Sequence, residues 1–284
     1  MTALTADFVA VAAQLACLLE VSAEKPGNVT PTHAFHDMSY GDFLRSAAAI
    51  GPELARAGER PVGETILAAI QASRRWTQAN TNLGIVLLFA PLARAALAGT
   101  SGLRVDLSNI LAGLTLDDAR AAYAAIRLTG PGGLEAEVEN DVRAEPMVTL
   151  GQAMAGAAER DSIAAEYVSD YAIIFERGLP HLKAALARDI SPEQAVVQTY
   201  LELLATVPDT LIARKRGLLM AQTIADETAW TLAAGGVFTS AGRRAISALD
   251  TRLRQADHNS LNPGTTADLI AGTLFVALLE GVLK

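Results

Sequence analysis

The stretch LGIVLLFAPLARAALA, residues 83–98, decides the fold, and Arg94 is its only charge. A helix that is apolar on nearly every side leaves no face for water, so it belongs at the centre of a helical bundle. Pro91 must kink it or mark a junction, because proline removes a backbone donor and crowds the turn before it. Apolar runs such as 83–93 and 269–279 are too short to span a bilayer comfortably.

Outward from that centre, the chain reads as helix after helix. Residues 6–20 form an apolar helix that cannot continue through Lys25-Pro26-Gly27. Ser39-Tyr-Gly-Asp42 has the spacing of a capping box and opens a second helix. Pro61 suits a first turn, Asp117-Asp118 opens another helix with acid at its positive end, and Ser191-Pro-Glu-Gln194 is a further start. One long helix is expected from about Thr149 to Arg177, and two more over 192–207 and 209–233. Ser240 caps another to about Asp257, and Pro263 opens the last. No period-2 apolar alternation persists, and no repeat or linker divides the chain. The expectation is an all-α fold, a single-domain helical bundle of about ten helices over residues 1–284.

The 284 residues are enough for a substantial core. A net charge of −8 argues against nucleic acid, whose binders need a basic surface. The run Arg214-Lys215-Arg216 stands against that trend and has the size of a local anion site. Cys17 is the sole cysteine, so no intrachain disulfide forms, and its apolar setting suits an inert buried thiol. The N-terminus lacks the basic region of a signal peptide. A cytoplasmic protein with no membrane partner is expected, with a homodimer as a possible assembly.

Two polar interruptions point to chemistry. EVSAEKPGNVTPTHAFHDM, residues 20–38, sets a lysine, a Pro-Gly turn, two histidines and an aspartate between apolar helices. Lys25 offers a point charge to phosphate, and the turn through Gly27 and Asn28 can form an anion nest. The second, Asn80-Thr81-Asn82-Leu83-Gly84, places amides and a hydroxyl where the apolar helix begins, a natural phosphate site. Taken alone, that pattern is more simply a helix cap, and the lysine turn a surface turn. Asn262-Pro-Gly-Thr-Thr-Ala-Asp268 repeats the arrangement near the end, as an anion or ribose site or a plain cap. Carboxylates suited to Mg²⁺ are Glu20, Asp37, Glu64, Glu137, Asp141 and Asp161. Glu137 and Asp141 would share a helix face, although acidic runs are usually just solvated. His33 and His36 have no further ligand at zinc spacing, and no nucleophile elbow or dinucleotide fingerprint occurs.

Together these pieces resemble the triphosphoribosyl-dephospho-CoA synthase family. The likeness rests on Glu20-Val-Ser-Ala-x-Lys-Pro-Gly-Asn28, His36-Asp-Met38 with Phe43 and Ser46, Gly63-Glu64, Asn80-Thr81-x-x-Gly84 and Pro263-Gly-x-x-Ala-Asp-Leu269. It implies an all-helical enzyme that uses ATP and Mg²⁺ and joins a triphosphoribosyl group to 3′-dephospho-CoA with release of adenine. The characterised branch of the family has His-Lys-Gly after Asn-Thr, where this chain has Asn82-Leu83-Gly84, so one cationic side chain is missing. Other stretches, such as YAAIRLTGPGGL, look more like a separate branch found in archaea and methylotrophic bacteria.

The leading expectation is therefore a Mg²⁺-dependent transferase acting on ATP and a small acceptor, dephospho-CoA or a cofactor precursor. Asp37, Glu64 and Asp141 are the expected catalytic groups, and with Glu20 the expected metal ligands. Lys25, Gly27, Asn28, Asn80, Thr81, Asn82, Gly84, Arg127, Lys215 and Arg216 are the expected nucleotide and phosphate contacts. Alternatives are a phosphate-linked transferase of one-carbon cofactor biosynthesis, of the methanofuran or tetrahydromethanopterin type, and a Mg²⁺-dependent nucleotide or ADP-ribose hydrolase. A non-catalytic helical scaffold would treat every polar cluster as caps and turns. Convergence of 20–38, 80–84 and 135–141 on one cavity separates the enzyme readings from the scaffold.

Overall fold

The computed structural model describes residues 4–130 and 142–283. Among these there are fourteen α-helices and no strand. The first six are α1 (Ala6–Ser22), α2 (Tyr40–Leu54), α3 (Val62–Arg74), α4 (Leu83–Ala98), α5 (Leu103–Ala112) and α6 (Leu116–Thr129). The rest are α7 (Leu150–Ala157), α8 (Ser162–Val168), α9 (Leu179–Leu186), α10 (Pro192–Thr206), α11 (Thr210–Arg216), α12 (Leu218–Ala233), α13 (Ser240–Arg254) and α14 (Gly264–Leu279).

The core forms around α4 and α14, the two most apolar helices, which pack on each other. Phe89 and Phe275 stack there with ring centroids 4.4 Å apart, both fully buried. Burying a side chain of that size contributes roughly 1.5–3 kcal/mol. α1 covers α14 and is itself covered by α2, and α3, α5 and α6 complete that side. No single helix among the described residues is long and apolar enough to cross a membrane.

Pro91 is no junction: α4 runs through it unbroken. The missing proline N–H would have bonded the carbonyl of Leu87, four residues back. The buried Tyr167 hydroxyl donates to Leu87 O instead, at 2.7 Å, and Tyr171 donates to Leu88 O at 3.0 Å. Tyr167 thus supplies the donor the helix lacks, and Tyr171 adds a bond to the next carbonyl.

The expected long helix over 149–177 is instead broken twice. The Asp161 carboxylate accepts from the Ile163 and Ala164 amides and starts α8 afresh. Asp170 and Tyr171 then adopt left-handed backbone (φ 52° and 58°), and a π-helical turn, Ile173–Gly178, leads into α9. Buried Glu166 holds this turn by accepting from the Ile173 and Ile174 amides, at 2.9 and 3.0 Å. Likewise the expected 209–233 helix splits at Gly217, whose φ of +88° ends α11. These breaks raise the helix number from about ten to the observed fourteen. The Ser39–Asp42 and Ser191–Gln194 capping boxes form as expected.

Candidate active site

The polar interruptions meet in one cavity of about 1140 Å³. Its inner wall is made by the end of α1, the Asn28 turn, the start of α4 and the start of α14. The α6–α7–α8 corner and the C-terminal end of α11 form the rest, and Phe35–Met38 lies along the rim.

The start of α4 is held from outside the cavity. Asp42 accepts from the Ser39 amide and hydroxyl, from Arg45 and from Thr77, at 2.6–2.8 Å. Burial opposes ionisation there, but these donors hold its carboxyl far below the usual range. Thr77 in turn accepts from the Ala79 amide, and Ser46, bonded to the Asp42 carbonyl, meets the Thr81 hydroxyl. Asn82 turns its amide to Ser73 at 3.0 Å rather than capping α4. Among the described residues no side chain caps this helix, and its first residues, Leu83, Gly84 and Ile85, line the cavity.

Asp268 lies directly opposite. A Cβ at position 84 would run into its carboxylate, so Gly84 is what lets the two helix starts approach. Burial raises the Asp268 carboxyl well above the usual range, and the negative charges of Glu20, Asp209 and Asp161 add to this. Glu20, also on this wall and 3% exposed, is raised by burial, with Lys25 opposing at 3.0 Å. Asn28 donates to Asn262 Oδ1 at 2.7 Å, while its own Oδ1 is buried without a partner.

The outer part of the cavity carries the cations. Arg214 pairs with Asp161 at 3.3 Å, and Arg160 and Lys215 also line the cavity. Burial lowers the Lys215 ammonium, Arg214 lowers it further, and Asp37 and Asp209 oppose. A bound polyanion would relieve that strain on Lys215.

Of the expected site residues, Glu20, Asn28, Asp37, Asn80, Thr81, Asn82, Gly84 and Lys215 line this cavity. Five others lie elsewhere. Lys25 is wholly buried, bound to Glu20 and to the Glu20 and Ala23 carbonyls. Gly27 spends its amide on Asp250, at 2.8 Å, in a left-handed turn (φ +76°) where a Cβ would strike Leu253. Glu64 is exposed on the first turn of α3, outside the lining. Arg127 donates to the Val142 carbonyl, and Arg216 to the Ser260 hydroxyl. Asp141 and Glu137 fall outside the described residues. Sequence reasoning passed over Arg160, and it read Arg214 only within the basic run 214–216 and Asp268 only within the 262–268 helix start, without a role of its own for either. For Asp268 the signal was present: it is the single charge in the whole of α14.

An all-helical frame with buried carboxylates facing an open helix start, and cations at the mouth, defines an enzyme that handles phosphorylated small molecules. Residues 6–284 match the family model described as ATP:dephospho-CoA triphosphoribosyl transferase, and the chain belongs to that family. It is similar to a Vibrio cholerae protein assigned as a 2-(5''-triphosphoribosyl)-3'-dephosphocoenzyme-A synthase. The two are 28% identical over 291 residues, covering 95% of this chain and 87% of the relative. A crystal structure assigned as a triphosphoribosyl-dephospho-CoA synthase from Archaeoglobus fulgidus superposes with a TM-score of 0.65 at 29% identity. That alignment covers 84% of this chain and 99% of the other. The chain is thus a transferase of an ATP-using family in coenzyme biosynthesis.

Proposed function

We propose that this chain moves the triphosphoribosyl group of ATP onto the 2′-hydroxyl of 3′-dephospho-CoA. The ribose C1′–adenine bond breaks, a C1′–oxygen bond forms, and the proton of the acceptor hydroxyl leaves with adenine. The observation that carries this reading is the meeting, in one cavity, of raised Asp268, the uncapped start of α4, and Arg214 with Lys215. Burial and the neighbouring carboxylates favour the protonated form of Asp268, which suits a general acid for departing adenine. Having given that proton, its carboxylate takes the one released by the attacking hydroxyl. Glu20 beside it stabilises positive charge as it develops on the ribosyl carbon. The α4 amides, Arg214 and Lys215 bind the phosphates.

The described residues hold no cluster of three candidate metal ligands. That donor set suits Mg²⁺ carried on the triphosphate, which needs only one or two protein carboxylates. Asp37, on the rim near Lys215, is the residue to meet it, and the ion would neutralise phosphate charge.

Incubation with ATP, Mg²⁺ and dephospho-CoA tests the reaction. Adenine released in step with dephospho-CoA consumed is the expected result. Adenine without loss of dephospho-CoA would make the chain a hydrolase. With no adenine at all the proposal fails, and the one-carbon cofactor reading takes its place.

A further inference from the structure

One corner of the cavity differs in kind from the rest. On α7, Leu150, Ala153, Met154 and Ala157 line it at positions i, i+3, i+4 and i+7, a single helix face. Tyr123 and Ile126 of α6 and Ile163 of α8 line the same cavity. Leu150, Met154, Tyr123 and Ile163 are at most 9% exposed, and Ala153 and Ala157 are partly open. No charged side chain of α7 itself belongs to this lining. The volume of about 1140 Å³ also exceeds the roughly 300–1,000 Å³ typical of a site for one drug-sized ligand.

Resting on the proposed reaction, we infer that this apolar slot between α6, α7 and α8 receives the pantetheine arm of the acceptor. The two substrates of the family are both adenosine 5′-polyphosphates. Contacts to adenine, ribose or the α- and β-phosphates therefore cannot tell donor from acceptor. Only the acceptor carries a long uncharged arm, and among the described residues α7 offers a continuous uncharged helix face to match it, with the charged Glu159, Arg160 and Asp161 following on the connection to α8. The slot sets which nucleotide sits where: an acceptor anchored by its arm leaves the carboxylates and the α4 start to ATP. Ala153 and Ala157 keep the slot open, since larger side chains there would project into it.

Ala153→Phe, with Ala157→Phe as a second variant, tests the assignment in the full chain, each checked for an unchanged thermal midpoint. The expected result is a KM for dephospho-CoA raised about tenfold or more, equivalent to about 1.4 kcal/mol, with the KM for ATP within about twofold of the parent. ADP, the acceptor head without its arm, should compete with dephospho-CoA equally well in parent and variants. An unchanged KM for dephospho-CoA in both folded variants, or an equal rise for ATP, would overturn the slot. Calorimetric binding separates this from the reaction itself. If the parent releases no adenine yet binds dephospho-CoA at least tenfold tighter than ADP, and Ala153→Phe erases that difference, the slot stands while the transfer reading falls. Equal binding of dephospho-CoA and ADP by the parent would sink the slot whether or not adenine appears.

Discussion

At the inner wall of the cavity, Glu20 is 3% exposed and paired with Lys25, which is itself wholly buried. At the rim, the Asp37 side chain is 61% exposed, with His36 3.7 Å away. Most inner-wall polar groups are tied into the scaffold: Asn82 to Ser73, Thr81 to Ser46, Asn28 to Asn262. Asp268 is different, because among the described residues no scaffold donor fixes it in the same way, and three neighbouring carboxylates oppose its charge. The difference teaches a division of labour. Groups bound by the protein set geometry, and the groups left strained by the fold, Asp268 and Lys215, are those with something to gain from a ligand.

The sharpest way to break that division is Asp268→Asn. Loss of the proton donor should lower kcat for adenine release about a thousandfold, while circular dichroism and the melting midpoint stay close to the parent. Turnover within tenfold of the parent would move Asp268 from chemistry to scaffold.

Lys25→Ala asks the reverse question. It leaves Glu20 buried beside no cation, and the fold should lose about 3–5 kcal/mol in urea denaturation. Much of that loss should return in Glu20→Gln combined with Lys25→Met. Normal stability with weakened ATP binding would instead make Lys25 a phosphate ligand.

A third prediction concerns the turn that positions α8. Burial lifts the Glu166 carboxyl from 4.5 to about 7, against the Ile173 and Ile174 amides and Arg104, while Glu176 adds to the rise. The native chain therefore holds this proton more tightly than the unfolded chain. The associated stability is fully present below the unfolded value and is lost as pH rises through about 7. Raising pH from about 5 to about 8 should cost about 3 kcal/mol from this group. Glu166→Gln should flatten that part of the profile in thermal melts, and an unchanged slope would assign the pH dependence to other carboxyls.

The smallest effects belong to the rim. Arg214→Ala and Lys215→Ala should each raise the KM for ATP about tenfold with little change in kcat, a loss of binding shared by ground and transition states. A large fall in kcat would bring these cations into the transition state and blur the contrast with the inner wall.

Much of the frame was legible in the chain because its signals are local. The Ser39–Asp42 and Ser191–Gln194 boxes mark helix starts within four residues, and the apolar 83–98 run lies in the core as expected. The breaks around 158–178 were not legible, since they depend on Glu166 reaching amides seven and eight residues ahead and on tyrosines bonding α4. The site shows the same limit. The polar stretches 20–38, 80–84 and 262–268 do meet at the cavity. Lys25, however, looked exposed because a Pro-Gly turn usually is. Its burial depends on Glu20, on the Tyr200 hydroxyl at the Pro26 carbonyl, and on Asp250 and Arg254 of α13 holding the rest of the turn. No pattern within the motif itself records partners so far along the chain.

Pro91 carries one more consequence, for how this sequence is free to drift. With proline in place, Tyr167 is the donor for an otherwise unserved Leu87 carbonyl, and phenylalanine there would strand a buried acceptor. With alanine at 91 the helix serves that carbonyl itself, and the tyrosine hydroxyl becomes redundant. The two positions, one in each half of the chain, are conditionally neutral: lineages that lose the proline are released to lose the hydroxyl, and those that keep it are not.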